Sequence, residues 1–495
     1  MADADVLSKL SSLMQRGLFE NAEEQVASAL KEIFGGRYYQ AHLKDAQIRS
    51  AAYRLGALED DRGVPYAGLI SPDNPPSGAY GGTSIVWFPT KEKGSLLGLG
   101  VGTRGIAPDE GLLTRPGHRR RVEGLRRLLS QQGVSCWTKS DPAALGAEVP
   151  ESVVARFSSY KGALERYKHE VYCNVAITPD MKPEQARQIV QQFFDLYAYE
   201  RGWKPLAIAA EEFDKHIEHL ERQLFEHPNC DSINNLLQSR RFVVLQGPPG
   251  TGKTRLAEQV RERHFSGRGT TIQFHPSVTY EDFVIGLSPE PAAQGLAFRV
   301  KPGWLLQAYK EAVKGPYLLI IDEVNRADLG RVLGEAVYLF EADEVGGENP
   351  RTVRLAHEFD GKREFALSPN LYVLATMNTA DRSIAHMDLA IRRRFAFANL
   401  PPDPAPIRAA RIGLASDAFE RLSRVFVEFC NDDALSLLPG HAYFLARDEA
   451  DLLQRFKFAL LPLLDDYLRQ GLVGGAQGEL QAVRDWLYDT VEQGS

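Results

Sequence analysis

The sequence has few cysteines, no long apolar run and no excess of basic residues. Four cysteines occur among 495 residues and none forms a C-x-x-C pair, so the pattern predicts neither a disulfide framework nor a zinc site. No apolar run is long enough to span a membrane, and the acidic start at 1–5 lacks the apolar core of a signal peptide. The net charge of -7 excludes a global positive field. We therefore expect a cytoplasmic protein without a membrane segment, in which nucleic-acid contact depends on a local patch.

The strongest signal is the stretch 247–254, which matches the phosphate-binding pattern G-x-x-x-x-G-K-[ST]. An apolar run precedes it and a segment of helical composition follows it, as a buried strand and a helix would. The loop N–H groups and the helix N-terminus then form an anion cradle. We expect Lys253 to reach the β- and γ-phosphates of ATP or GTP, and the Thr254 hydroxyl to take a Mg²⁺ position. The predicted nucleotide-binding residues are Gly247, Pro248, Pro249, Gly250, Thr251, Gly252, Lys253 and Thr254.

Two later apolar runs end in polar side chains. The run at 317–321 ends at Asp322 and Glu323, and the run at 371–376 is followed by Asn378. In α/β sheets, ligands bind at the carboxyl ends of the strands. We expect Asp322 to hold Mg²⁺ through water, Glu323 to polarise the attacking water, and Asn378 to contact the γ-phosphate or that water.

Three consecutive arginines, Arg392, Arg393 and Arg394, end a short predicted helix at 388–394. One interpretation is that arginine fingers, with Arg392 and Arg393 as the candidates, enter a neighbouring subunit's nucleotide site. The other is a solvated basic helix end, which the helix dipole also favours. We favour the finger.

The first two hundred residues carry a basic cluster at the start of a predicted helix, 119–130. Its functional interpretation is phosphate contact that positions a DNA duplex without reading its sequence, and its alternative is a solvated helix face. The candidate residues are Arg115, His118, Arg119, Arg120, Arg121 and Arg126.

The coarse pattern predicts four segments. Residues 1–205 read as a mixed α+β domain, with strands at 84–88, 95–101 and 171–177, and residues 206–240 as a helical linker. Residues 241–400 are typical of a P-loop NTPase core. Residues 401–495 read as a helical lid whose motion couples hydrolysis to the rest of the protein. The predicted fold class is therefore α/β, a parallel P-loop sheet flanked by helices.

Residues of about 215–495 resemble the McrB family, the AAA+ motor subunits of modification-dependent (type IV) restriction systems. The run Met377-Asn378-Thr379-Ala380-Asp381-Arg382-Ser383 is the discriminating piece, because the P-loop and the Asp-Glu pair occur in many NTPases. Further stretches carry the resemblance, at 245–250, 273–283, 321–327, 392–395, 440–444 and 460–464.

The resemblance implies a homo-oligomer, a hexameric ring with nucleotide between subunits. It implies a separate McrC-like nuclease subunit and an N-terminal domain that recognises DNA. It also makes Asp381 and Arg382 signature positions of the site, whereas residues 1–205 depart from the N-terminal domains typical of the family. Nothing in the sequence decides between ATP and GTP.

The lead hypothesis is an NTP-hydrolysing AAA+ ring motor of a DNA restriction or antiphage system. The alternative is a MoxR-like AAA+ chaperone that remodels protein clients with the same motor. A nucleotide switch without turnover is a third possibility, but Glu323 and Asn378 argue against it, since a switch needs neither.

Overall fold

The computed structural model describes residues 2–33, 51–54, 64–70, 74, 79–205, 207–225, 227–292, 295–380 and 389–494. The chain divides into two compact units. One comprises 1–225 with 427–429, and the other comprises 226–426 with 430–495. The predicted linker at 206–240 is therefore divided between the units and does not stand apart from them.

The first unit is built on an antiparallel sheet with the strand order β1-β2-β3-β4-β6-β5. Its strands are β1 (Ala51–Arg54), β2 (Tyr66–Leu69), β3 (Thr83–Pro89), β4 (Ser95–Val101), β5 (Cys136–Thr138) and β6 (Val171–Ile177). Its α-helices are α1 (Ala2–Arg16), α2 (Ala22–Glu32), α3 (Glu110–Leu113), α4 (Pro116–Gln131), α5 (Glu151–Arg156), α6 (Lys161–Arg166), α7 (Pro183–Glu200) and α8 (Ala207–Arg222). The strands predicted at 84–88, 95–101 and 171–177 are confirmed.

The core of this unit lies between the sheet and its helices. Trp87 on β3 and Leu97 on β4 are almost fully buried in one apolar cluster with Phe193 of α7. The side chains of α1 at Leu7 and Leu10 complete the same cluster, as their helical spacing requires.

The second unit is built on a parallel sheet with the strand order β15-β7-β14-β11-β8. Its strands are β7 (Phe242–Gly247), β8 (Gly269–Gln273), β11 (Tyr317–Asp322), β14 (Leu371–Asn378) and β15 (Ala396–Asn399). The inner strands are near-continuous apolar runs, because helices cover both faces of such a sheet. The predicted α/β class is confirmed.

The helices of this unit and two antiparallel hairpins complete the architecture. The hairpins are formed by β9 (Ile285–Ala292) with β10 (Gly295–Pro302), and by β12 (Val353–Phe359) with β13 (Lys362–Phe365). The core α-helices are α9 (Cys230–Arg240), α10 (Lys253–His264), α11 (Tyr280–Phe283), α12 (Trp304–Ala312), α13 (Leu329–Leu333) and α14 (Leu389–Arg392). The lid α-helices are α15 (Pro404–Ala410), α16 (Gly413–Phe429), α17 (Asp432–Leu435), α18 (Glu449–Arg455), α19 (Leu461–Arg469) and α20 (Gln477–Gly494).

The strand register brings the predicted polar residues to one edge of the parallel sheet. Asn378, the last residue of β14, pairs with Gly247, the last residue of β7. Asp322 ends β11 in register with Gln273 of β8.

Among the helices within the described ranges, none has the length and apolar character needed to cross a membrane.

Candidate nucleotide-binding site

The phosphate-binding loop joins β7 to α10 with a backbone that requires glycine. Gly250 and Gly252 have φ values of 80° and 79°, in the left-handed region that L side chains avoid. A Cβ at Gly247 would lie 2.3 Å from the carbonyl oxygen of Leu400, so a side chain is excluded there by contact. These glycines allow the tight turn that leads into α10, which begins at Lys253. The first N–H groups of a helix have no partner within the helix and favour a bound anion.

Lys253 is held inside this loop. Its Nζ donates hydrogen bonds to the carbonyl oxygens of Gly247, at 3.0 Å, and Pro248, at 2.8 Å. Burial lowers the pKa of Lys253 to about 8, although the carboxylates of Glu323 and Asp322 act in the opposite direction. The amine that the sequence predicts to meet phosphate thus sits in a partly desolvated position at the loop.

Asp322 is fixed by two hydroxyl groups that come from different elements. The Thr254 Oγ1 donates to Asp322 Oδ1 at 2.7 Å, and the Thr376 Oγ1 donates to the same oxygen at 2.6 Å. Carboxylate and hydroxyl oxygens are ligands that suit Mg²⁺. The donor set therefore fits the predicted metal position at Thr254 and Asp322.

Glu323 follows directly in a constrained backbone conformation. Its φ of 56° and ψ of 45° lie in the left-handed region, which is costly for a residue with a side chain. Its N–H donates to Thr376 Oγ1 at 3.1 Å. Arg326 Nε lies 3.4 Å from Glu323 Oε2, but that buried oxygen has no hydrogen-bond partner in the described part of the chain. The carboxylate is thus oriented but retains an acceptor for water.

Thr376 is a positioning residue that sequence reasoning missed. It is almost fully buried and bridges the Asp322 carboxylate to the backbone of Glu323 through one hydroxyl. A threonine two residues before Asn378 in an apolar strand is the only signal that the sequence offers for it.

Asn378 lies at the tip of β14, beside the phosphate-binding loop. Its Oδ1 accepts a hydrogen bond from the N–H of Ala380 at 3.1 Å, and its carbonyl oxygen accepts from Asn325 Nδ2 at 3.3 Å. The next N–H, of Thr379, donates to the Gly247 carbonyl at 3.0 Å. Asp381 and Arg382 lie outside the described residues.

The three consecutive arginines differ in their surroundings. The Arg394 side chain is only 9% exposed and its Nε lies 3.3 Å from Glu341 Oε1. Arg393 is 68% exposed and lies 3.8 Å from the same carboxylate oxygen. Arg392 is exposed and its guanidinium lies over the Phe397 ring at 4.7 Å. Arg394 therefore belongs to the packing of the second unit, whereas the other two arginines lie at the surface.

Two of the side chains on helix α4 that were predicted to contact DNA are buried inside the first unit. His118 is fully buried, with Nδ1 2.8 Å from Glu200, and the buried Arg121 has Nε 3.0 Å from the same carboxylate. Burial alone would raise the pKa of Glu200, but His118 and Arg121 lower it to about 2. These two side chains hold the unit together and do not face solvent, which corrects their assignment to a DNA-contacting patch.

The other members of the patch remain closer to the surface. Arg126 is bound to Glu123 through Nε at 2.9 Å. Arg119 and Arg120 are half-buried, and Arg115 is exposed. DNA contact through these residues stays a prediction.

Replacing Thr376 with valine is expected to keep the fold and to impair the site. The change preserves the shape of the side chain but removes the hydrogen bond to Asp322, and such bonds to charged groups contribute roughly 1.5–3 kcal/mol. We expect nucleotide turnover to fall about tenfold or more, with a higher Mg²⁺ concentration at half-maximal turnover. A phosphate-release assay across a Mg²⁺ series measures both. Thr270→Val on β8 is the matched control, and equal losses in the two variants would contradict the assignment.

Nucleotide affinity is expected to depend on pH through Lys253. The pKa of about 8 in the empty site means that the amine is protonated below that pH and neutral above it. Bound phosphate favours the charged amine, so binding above pH 8 takes up a proton and weakens as pH rises, by up to about tenfold per pH unit. Calorimetry in buffers of different ionisation enthalpy measures this uptake, which should approach one proton per site near pH 9. Lys253→Arg should take up none, because guanidinium stays protonated; an absence of uptake in the native protein would refute the prediction.

Known protein families and relatives match the part of the chain that contains this site. Residues 242–395 match the family described as AAA domain (dynein-related subfamily). The chain is 40% identical over 179 residues to the "Type IV methyl-directed restriction enzyme EcoKMcrB subunit" of Escherichia coli (strain K12), a match that covers 35% of this chain and 38% of that protein. It is 27% identical over 213 residues to the "Type II restriction enzyme BsuMI component YdiS" of Bacillus subtilis (strain 168), covering 36% of this chain and 61% of that protein.

Each match therefore spans less than two thirds of the relative's length, about two fifths of the first and three fifths of the second. The AAA match contains the phosphate-binding loop, Asp322, Glu323, Asn378 and the three consecutive arginines at 392–394. The predicted resemblance to McrB is confirmed over this part of the chain, and residues 242–395 carry an AAA domain.

Proposed function

We propose that this chain is an NTP-hydrolysing ring motor of a DNA restriction system that works with a separate nuclease subunit. The observation that carries the proposal is the convergence of Thr254, Asp322, Thr376 and Glu323 beside a phosphate-binding loop. The two relatives support the biological setting, since both are named as components of restriction enzymes.

Each group at the site has a task in phosphoryl transfer. Thr254 and Asp322 would hold Mg²⁺, which neutralises phosphate charge. Lys253 binds the β- and γ-phosphates, and Glu323 orients and polarises the attacking water. Asn378 is placed at the adjoining strand tip to contact the γ-phosphate or that water. Catalysis of this kind depends on positioning and charge neutralisation, and these residues supply both.

A ring explains the exposed arginines. Arg392, at the end of α14, and Arg393, directly after it, lie at the surface, where they are accessible to a neighbouring subunit. In a ring of identical subunits, head-to-tail contacts place one subunit's surface against the next subunit's site. We assign the finger role to these two residues and a structural role to Arg394.

The first unit is the proposed DNA-binding part. Arg115 is exposed and Arg119 is half-buried, so both retain surface for phosphate contacts, whereas His118 and Arg121 contact the buried Glu200 carboxylate. Such contacts would position a duplex and give salt-dependent binding. The chaperone alternative receives no comparable support from the two relatives.

Replacing Glu323 with glutamine is expected to abolish turnover and preserve nucleotide binding. The amide keeps the size of the side chain but cannot polarise water as a carboxylate does. Phosphate release should fall by orders of magnitude relative to the native protein. ATP and GTP are compared side by side, with and without duplex DNA and a McrC-like nuclease subunit.

The same assay identifies which nucleotide is hydrolysed, and it measures whether DNA or the nuclease subunit increases the rate of phosphate release. Nucleotide binding by the variant serves as its folding control. Native protein that binds nucleotide but releases no phosphate under any of these conditions would overturn the motor and favour a switch.

Mixing two inactive variants is expected to restore turnover if the fingers act between subunits. Lys253→Ala subunits cannot bind nucleotide but keep their arginines, whereas Arg392→Ala/Arg393→Ala subunits keep an intact nucleotide site. In mixed rings the first variant supplies arginines to the second, so turnover rises above that of either variant alone. Arg447→Ala, at a lid arginine with an 87% exposed side chain, should retain native turnover. Mixed oligomers without recovery at any ratio would contradict the finger assignment.

A further inference from the structure

One carboxylate oxygen, Oε1 of Glu341, lies near three arginines. The distances to it are 3.3 Å from Arg394 Nε, 3.7 Å from Arg351 Nη1 and 3.8 Å from Arg393 Nη2. Glu341 immediately precedes the 3₁₀-helical turn Ala342–Glu344, and its side chain is 28% exposed. The carboxylate is therefore close enough to attract each guanidinium, but one oxygen cannot bind all three equally.

Arg351 has a second carboxylate and depends little on Glu341. Its Nη2 donates to Glu344 Oε1 at 2.8 Å, and its Nε donates to the other oxygen of the same carboxylate. Such a two-point contact is the strong form of an arginine–carboxylate pair. The ion pairs of the described residues thus join three arginines to two carboxylates, which leaves one positive charge in excess.

Burial determines which arginine keeps that excess charge. The Arg394 side chain is 9% exposed, whereas the Arg393 side chain is 68% exposed. A buried charge needs a partner far more than a solvated charge does, and Glu341 is also nearer to Arg394. Glu341 therefore compensates Arg394. It attracts Arg393 without binding it, because 3.8 Å is too long for a hydrogen bond.

A loose pair of this kind suits a side chain that must move away. Water solvates much of the Arg393 side chain, and no hydrogen bond to Glu341 has to break when it leaves. Without Glu341, the neighbouring charge of Arg394 would be uncompensated and would repel Arg393. Arg392 is placed differently, since its guanidinium lies over the Phe397 ring at 4.7 Å. The two exposed arginines therefore differ in the groups that orient them.

We propose that Arg393 is the arginine finger and that Glu341 is its positioning residue, which orients the guanidinium until the γ-phosphate of the next subunit's nucleotide replaces the carboxylate as its partner. Both roles rest on the ring and the finger of the proposed function, and they name which exposed arginine acts. Glu341 itself touches no nucleotide. A carboxylate of one subunit thereby affects turnover at the site of its neighbour.

A carboxylate that only stabilised its own subunit would behave differently. Its loss would leave the buried Arg394 uncompensated and would disturb the fold around it, including the nucleotide site of the same chain. Another subunit could not restore the lost turnover. Positioning predicts instead a normal nucleotide site and a defect that an intact Arg393 from a neighbouring subunit corrects.

The test measures phosphate release and equilibrium nucleotide binding with the full chain. The nucleotide is the one, ATP or GTP, that the native protein hydrolyses. The variants are Glu341→Gln, Arg393→Ala and Arg392→Ala. Glu311→Gln is the matched control, because it makes the same chemical change at a partly exposed carboxylate of α12 that pairs with Lys314.

The expected result is a loss of turnover without a loss of nucleotide affinity. Glu341→Gln should lower turnover about tenfold to a hundredfold, the size of the effect of a misplaced group. Arg393→Ala should lower it by about a thousandfold or more, as expected for a missing finger, and Arg392→Ala should lose less. Glu311→Gln should match the native protein.

Mixed rings show in which subunit the defect lies. Lys253→Ala subunits cannot bind nucleotide but keep Glu341 and Arg393, so mixing them with Glu341→Gln subunits should raise turnover above that of either variant alone. Arg393→Ala subunits supply no finger, so mixing them with Glu341→Gln subunits should restore nothing. A structural role does not produce this pair of results, since a neighbour's arginine does not repair a disturbed nucleotide site.

Three results would overturn the proposal. Native turnover in Glu341→Gln would show that the finger needs no such carboxylate. Weaker nucleotide binding by Glu341→Gln, or no recovery with Lys253→Ala, would make the role of Glu341 structural. A larger loss in Arg392→Ala than in Arg393→Ala would assign the finger to the other arginine. Failure of the ring itself is distinguishable, because the mixture of Lys253→Ala with Arg392→Ala/Arg393→Ala would then also stay inactive.

Discussion

One carboxylate oxygen, Asp322 Oδ1, holds the site together. It accepts hydrogen bonds from Thr254 at the start of α10 and from Thr376 on β14, while Asp322 itself ends β11. Three separate elements are therefore tied to a single atom, and Thr376 continues the connection to the backbone of Glu323. Hydrogen bonds to a charged acceptor are stronger than neutral ones. Because one oxygen contacts Thr254 directly and the Glu323 backbone through Thr376, the proposed metal position and the backbone that carries the proposed catalytic carboxylate are coupled.

The same arrangement fixes the electrostatics around Lys253. The amine hydrogen-bonds to two loop carbonyls and is desolvated enough to have a pKa of about 8. Asp322 and Glu323 favour its charged form, but neither neutralises it by direct contact in the described structure. Burial therefore disfavours the charged form of this amine. A bound phosphate is a counter-charge that would favour the charged form.

The sequence predicts the elements and motifs that follow from neighbouring residues. It does not predict side-chain contacts between residues that are distant along the chain. The loop, the strand ends and the parallel sheet follow from a motif, apolar runs and the rule that strands meet at their carboxyl edge. Thr376 was missed because its role depends on the register of β14 with β7 and β11. The burial of His118 and Arg121 was missed because their partner, Glu200, is 82 and 79 residues away. A basic run looks the same in sequence whether its charges face solvent or a buried carboxylate.

The cations near the site differ in whether groups of the same unit bind them. Among the described residues, Lys253 is bound to its own loop, Arg326 lies against Glu323, and Arg394 lies against Glu341. Each of these cations is oriented by groups of the second unit itself. Phosphoryl transfer develops negative charge on the oxygens remote from the loop, and a cation there accelerates the reaction strongly. Arg392, the last residue of α14, and Arg393, which follows it, are exposed, so they are the candidates for such a cation under the proposed ring. Burial thus separates Arg394, which packs against Glu341, from Arg392 and Arg393, which keep the exposure that the proposed finger role requires.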